Sequence, residues 1–422
     1  MSRNIMEWMV VLVGCSFIFC GTAEARRPQS PIEREDAAET RIEGGPKIQS
    51  SDEELAQEMN DEEGLKRLGN FGRFHIFGYG ELHYNGKIGP TGNEIDFHRL
   101  VLGVGYDFTD WLKFRSELDF EHAFKEPELE FAYLDFLVKR WANIRLGAIL
   151  VPMGVMNQHH EPPLFYSVER PEVYRVIIPT SWQGAGVGLH GDLPGGFDYE
   201  LYGLSSLTAV RLDDTGAIDQ SFSGSEGFHD DHSIGEAPGR DFGAAGRLQY
   251  RGVQGLRLGT SFFVGNTGQG NGAIGGGLLT MVEGDAKYSF QGIDLEGVFA
   301  FTNLTDAGNI NNVLIAADPT FTDFVASQMM GWYVEGAYHA FHHLLPDTKH
   351  DLVVFGRFED FNTQHKMPAG FSADPSNDRR TVTTGISYLP IPQVAIKADY
   401  MFNWNSANAG VDQFNLGVGF YY

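Results

Sequence analysis

The chain has 422 residues, a formal charge of −25, 52 glycines, 32 phenylalanines and only two cysteines. A mean hydropathy of −0.22 excludes a bundle of membrane helices. The acidity argues against nucleic acid as a partner, and an aromatic content of 13% argues against disorder. What is left is a glycine- and aromatic-rich chain made of many strands.

Residues 1–25 read as a secretory signal peptide. Arg3 precedes an apolar run from Ile5 to Cys20, and Ala23-Glu24-Ala25 supplies the small-x-small cleavage pattern. A competing reading takes Leu12-Val13-Gly14-Cys15 as a lipoprotein box with the lipid on Cys15, at the cost of leaving Phe17-Ile18-Phe19 behind. Cleavage after Ala25 removes both cysteines, and with them any disulfide, thiol catalyst or cysteine metal site. Residues 26–70 form an acidic periplasmic extension, broken by Pro28, Pro31 and Gly44-Gly45-Pro46 and acid-rich from Asp52 to Glu63. Leu55, Met59, Leu65 and Leu68 fall loosely on one helical side, so a solvated segment and a partner-binding helix both stay open.

From Phe71 to Tyr422 the period changes to two. In Val394 to Asn405 one parity is Val, Ile, Ala, Tyr, Phe, Trp and the other Ala, Lys, Asp, Met, Asn, Asn, which gives a strand one greasy and one wet face. Leu112–Phe120 and Ile293–Phe301 repeat the pattern. The greasy faces are aromatic, and the strands run about 10–12 residues, the length of a tilted membrane crossing. Val394, Ile396, Tyr400, Phe402 and Leu416 are then expected to face lipid.

About sixteen such segments follow, joined alternately by tight turns and long links, as in an antiparallel up-and-down barrel with short periplasmic turns and long outer loops. Pro194-Gly195-Gly196 and Gln291 are among the tight links; 151–182, 210–239 and 303–328 are the longest. The fold class expected is therefore all-β, a transmembrane barrel. The last segment, Phe414-Leu416-Val418-Phe420-Tyr422, resembles the C-terminal signal by which bacterial outer-membrane barrels meet the barrel-assembly machinery, with Tyr in place of the usual Phe.

Three blocks carry a more specific likeness: Arg145-Leu146-Gly147 running into Val151-Pro152-Met153-Gly154; Phe165-Tyr166-Ser167-Val168-Glu169-Arg170; and Gly184-Ala185-Gly186-Val187-Gly188-Leu189-His190-Gly191. Over about fifty residues the chain resembles the phosphate-selective porin O/P family. The resemblance implies a homotrimeric sixteen-stranded porin in the outer membrane of a Gram-negative bacterium, its fifth-strand loop folded into the pore and basic residues lining an anion path. Inward parity here gives about eight basic residues against about fifteen acidic ones. Lys113, Arg115, Arg145, Arg247, Arg257, Lys287, Arg357 and Lys397 have Glu117, Asp119, Glu121, Asp285, Asp294, Glu296, Glu359 and Asp399 close by in sequence, and the eight bases with Glu117, Asp119 and Asp399 are candidates for the pore lining.

Loop 151–182 has apolar runs, Leu164-Phe165-Tyr166 and Val176-Ile177-Ile178, that need a surface to pack on. Folded against the inner wall it would place His159, His160, Glu161, Glu169, Arg170, Glu172 and Arg175 at a pore constriction; packing on a neighbouring subunit is the alternative. Other chemistry is thin. His229-Asp230-Asp231-His232 reads as a solvated loop rather than a metal site, and the adjacent pairs His159-His160 and His342-His343 face opposite ways on a strand. No Gly-x-Ser-x-Gly nucleophile motif occurs. The expected function is passive diffusion of small hydrophilic solutes and ions, phosphate or other oxyanions among them, with no cofactor and no enzymatic activity. The alternative is a plugged structural or adhesive barrel whose loops bind partners.

Overall fold

The computed structural model describes residues 72–89, 92–228, 234–235 and 237–422. The leader, the acidic extension and the His229–His232 cluster lie outside the described residues. The strands are β1 (Phe74–Lys87), β2 (Glu94–Thr109), β3 (Leu112–Glu121), β4 (Glu126–Lys139), β5 (Ala142–Leu150), β6 (Gln183–Leu193) and β7 (Phe197–Ser205). After them come β8 (Val210–Leu212) and β9 (Ile218–Ser221), then β10 (Phe242–Val253), β11 (Leu256–Asn266), β12 (Leu278–Phe290) and β13 (Ile293–Leu304). Last are β14 (Gln328–His339), β15 (Asp351–Lys366), β16 (Asp378–Ile391), β17 (Val394–Asn405) and β18 (Gln413–Tyr421).

Strands β8 and β9 pair only with each other; the other sixteen close into one barrel of neighbouring antiparallel strands. Closure is made by β1 on β18, in register from Tyr79 opposite Tyr421 to Lys87 opposite Gln413. Tyr422 extends the seam by exchanging backbone hydrogen bonds with Gly78 at 3.0 and 2.8 Å. No sheet edge is left for hydrocarbon to meet. Among the described residues no helix is long and apolar enough to cross a membrane.

Sequence period accounts for the two faces. On β17, Ile396 and Phe402 are exposed while Ala395, Lys397, Asp399 and Met401 are buried inside. Exposed aromatics gather at both rims of the wall, Trp111, Trp141, Phe197 and Phe290 by the short turns and Phe97, Phe242, Trp404 and Phe414 toward the long loops, the girdles of a membrane barrel. The β12–β13 turn is a two-residue hairpin in which Gln291 and Gly292 both have positive φ (49° and 73°), the twist that matches flanking strands. One expected strand is shorter than its apolar pattern suggests. It stops at His339, and Ala340–Leu344 form a short helix, so His342 and His343 sit on a helical turn, not on a strand.

Two β-bulges break the simple alternation beside each other. On β2 the partners step from Arg99 opposite Glu81 to Asp96 opposite His83, one extra residue. On β4 they step from Phe131 opposite Glu117 to Leu129 opposite Leu118. A bulge flips the facing of everything beyond it. Asp96, His98 and Arg99 therefore all turn inward, and Glu130 joins Phe131 on the inner side.

Candidate functional site

Loop 151–182 leaves β5 and folds into the barrel. Its base is clipped. Val151 N donates to the Trp182 carbonyl at 2.8 Å, and the Asn157 amide donates to the Val151 and Trp182 carbonyls at 2.6 and 3.1 Å while its oxygen accepts Trp182 N at 2.8 Å.

One end of the loop is seated on β17 and β18. Lys397 Nζ donates to the carbonyls of Pro162 and Ser167 at 2.5 and 2.8 Å, and Asp399 accepts Val168 N at 2.5 Å. Gly417 and Gly419 leave the wall flat here. A Cβ at Gly419 would stand 2.3 Å from Pro162 Cβ, and one at Gly417 3.0 Å from Val168. The other end sits on β13 to β15. Arg357 donates to Ser167 Oγ at 2.7 Å, Glu359 accepts Val173 N at 3.3 Å, and Tyr166 donates to Asp294 at 2.6 Å. A Cβ at Gly331 would meet Ile177 at 3.0 Å.

The underside is apolar. Val173, Tyr174, Val176, Ile177, Ile178 and Trp182 are at most 1% exposed. They share one cluster with Phe263, Met281, Tyr333 and Phe361 of the wall, with Phe222 and Phe228 of the β7–β10 link, and with Ile310 and Leu314. The last two lie on helix α1 (Ala307–Ala317) in the β13–β14 link. Each such side chain contributes about 1.5–3 kcal/mol on leaving water, so the packed loops are held firmly on this side of the lumen.

The side toward β1–β4 is polar. A cavity of about 740 Å³ runs between the β1–β4 wall and the loop, lined by nine carboxylates, three arginines and three histidines. Arg99 is its hub: Nε stands 3.2 Å from Glu81, Nη2 2.8 Å from Glu121, and Nη1 3.5 and 3.8 Å from Asp119 and Glu130. One guanidinium facing four carboxylates leaves a negative field in a narrow space.

Of the residues expected at a constriction, Glu169, Arg170, Glu172 and Arg175 line this cavity. Arg175 binds Glu172 at 2.8 Å and also Glu226. The remaining three are not among its lining residues. His160 is buried edge-on to Tyr79 with ring centroids 5.7 Å apart. Burial, with Arg257 and Arg247 near, pushes the His159 imidazole down to about 3, and burial pushes the Glu161 carboxyl up to about 7.

Of the residues expected to line the pore, Asp119 reaches the cavity, and Lys397, Asp399 and Arg357 hold the loop. Lys287 pairs with Asp294 at 3.4 Å beside Tyr166. Arg247 pairs with Asp285 at 2.7 Å, and Arg257 stands 3.6 Å from Glu296. Arg145 lies over the Tyr133 ring and 3.1 Å from Asp135, and Arg115 binds Asp107 at 2.8 Å. Lys113 and Glu117 are buried on the inner face of β3. Arg99, Glu81, His83, His98, His122 and Glu130 were not singled out by strict alternation. The inward pair Glu81-x-His83 was the available signal; the bulges concealed His98, Arg99 and Glu130, and His122 lies past the end of β3 in a turn with positive φ (49°).

No family model matches the chain. An uncharacterized protein of Aquifex aeolicus (strain VF5) is 34% identical over 337 residues, spanning 77% of this chain and 74% of that protein. The chain belongs to that protein's family. Solved structures similar to this family member are outer-membrane barrels. OmpF of Salmonella typhi, in complex with daunomycin, superimposes with a TM-score of 0.54 at 15% identity, covering 84% of this chain and 99% of that one. The outer membrane channel DcaP of Acinetobacter baumannii gives 0.53 at 10%, covering 83% and 97%. An anion-selective porin from Comamonas acidovorans gives 0.51 at 13%, covering 83% and 99%. At such identities the likeness is one of fold: the chain shares the closed antiparallel barrel of these outer-membrane proteins.

Proposed function

We propose that the protein is an outer-membrane diffusion channel for small hydrophilic solutes and ions, working as a homotrimer after export through its cleaved leader. Loop 151–182 sets the narrowest point. The observation that carries this reading is the two-sided loop, apolar and buried toward β13–β15 yet presenting Glu169, Arg170, Glu172 and Arg175 to a wet cavity. A few charges at close quarters decide what passes. Nine carboxylates against three arginines favour cations, and Arg99 and Arg175 are already held by carboxylates. Phosphate or another oxyanion, the cargo that the motif resemblance implies, would meet repulsion along this lining.

Single-channel recording in planar bilayers tests the proposal, with reversal potentials in a salt gradient giving the sign of selectivity. Submillimolar phosphate block of chloride current would favour the oxyanion reading. A second reading, a plugged scaffold with partner-binding loops, is favoured by the apolar cluster that links the β7–β10 and β13–β14 loops inside the barrel. Electrical silence of folded protein would support it.

A further inference from the structure

At the long-loop end of the wet cavity three side chains converge that the channel reading does not use. Asp96 Oδ2 stands 3.2 Å from His98 Nδ1 and 2.7 Å from His122 Nδ1. The donor atoms of Asp96, His98 and His122 all lie within 4.8 Å of one another, and Glu121, His122 and Glu126 form a second such set sharing His122. Two imidazole nitrogens thus face one carboxylate oxygen.

We propose that Asp96, His98 and His122 form a binding site for a zinc-class divalent cation at the mouth of the cavity. Two imidazoles and one carboxylate are the donor set of borderline transition cations, whereas magnesium and calcium prefer all-oxygen sites. With ligand bonds of about 2.0–2.1 Å, tetrahedral donors lie roughly 3.4 Å apart. Asp96 Oδ2 already stands close to this spacing from His98 Nδ1, at 3.2 Å, and nearer to His122 Nδ1, at 2.7 Å.

The backbone fixes the pieces independently. The β2 bulge turns both Asp96 and His98 inward. His122 N donates to the His98 carbonyl at 3.0 Å and Ala123 N to the Phe97 carbonyl at 3.1 Å, tying the β3–β4 turn to the bulge. The site is open: the side chains of Asp96, His98 and His122 are 21%, 31% and 35% exposed. A fourth position is left for water or for Glu121 or Glu126. Binding has a local cost. Metal on His98 Nδ1 places the ring proton on Nε2, 3.4 Å from Arg99 Nη2, and Arg99 then relies on Glu81 and Glu121. The surrounding carboxylates compensate by attracting a dication.

Isothermal titration of the untagged, folded full-length barrel in detergent with zinc chloride tests the site without any channel recording. The expected result is micromolar binding that the same concentration of magnesium does not displace. Losing direct ligands in His98→Ala/His122→Ala should weaken it by about 100-fold or more, since even outer partners of ligands are worth 10–100-fold. Asp96→Asn, which keeps the shape and a hydrogen-bonding side chain, serves as a second variant, each checked for heat-modifiable mobility on gels. Equal zinc affinity in wild type and both variants, equal displacement by magnesium, or no zinc uptake by wild type would overturn the proposal. Any of these would leave the channel reading untouched, because conductance is not the readout.

Discussion

The Lys397 ammonium stands 3.8 Å from the centroid of the Phe165 ring while donating to two loop carbonyls. A charge that alternation alone would assign to the water path is thus spent as a fastener, capped by an aromatic face.

Lys397→Met removes that fastener and leaves the Pro162 and Ser167 carbonyls buried without a donor. The loss should be about 2–4 kcal/mol in equilibrium unfolding from lipid vesicles. With the loop loosened, single-channel conductance should rise severalfold and grow noisy. Deleting about ten residues around Pro162–Val168 should raise it likewise. A quiet channel of wild-type conductance would mean that the loop does not limit the current.

Filling the loop's seat from the wall side should act in the same direction. Gly419→Val puts methyls where Pro162 already packs and should cost about 1–3 kcal/mol by overpacking. Gly356→Ala, where an added Cβ meets nothing within 4 Å, should stay within about 0.5 kcal/mol. Parallel urea titrations of the two variants check the contrast.

Much of this architecture could be read directly from the chain. Parity assigned both faces of β17 and β18, and the spacing of the strands marked a tight link at Gln291. The apolar runs of 164–178 required a surface, and the inner wall supplies it. What strict parity misjudged has two physical sources. A bulge inserts one residue and inverts facing, so Arg99 and Asp96 count on opposite sides on paper and on one side in space. Inward facing also does not mean facing water. Arg357 and Asp399 point in and are covered by a loop from more than two hundred residues away in the case of Asp399. Only the fold brings such pairs together.

The lipid face offers a further check. Val334 is exposed at the middle of β14, and an arginine there should cost about 2–4 kcal/mol, whereas Val334→Leu should be close to neutral. Similar refolding stability for the two variants would place Val334 away from hydrocarbon.

Glu161 gives a pH dependence. Its folded value of about 7 lies above that of a free carboxyl, because burial disfavours the anion. The folded state therefore holds an extra proton between about pH 4.5 and 7, and its contribution to stability falls as pH rises through that window. Glu161→Gln removes the proton. The variant should gain on wild type from about pH 5 to pH 7 and then level off in paired unfolding curves, and a gap independent of pH would exclude the effect.

Strand β18 has two partners of different kinds, β1 along its edge and the Pro162–Val168 segment against its inner glycines. It also follows the other fifteen barrel strands in chain order. Zipping β18 to β1 and seating the loop consequently happen on the same strand. A barrel sealed before the loop arrived would present the loop with an enclosed lumen instead of an open trough. The order of assembly is thus constrained: the clip at Asn157 can shape the loop early, when only β5 and β6 have paired, and closure then traps it in place.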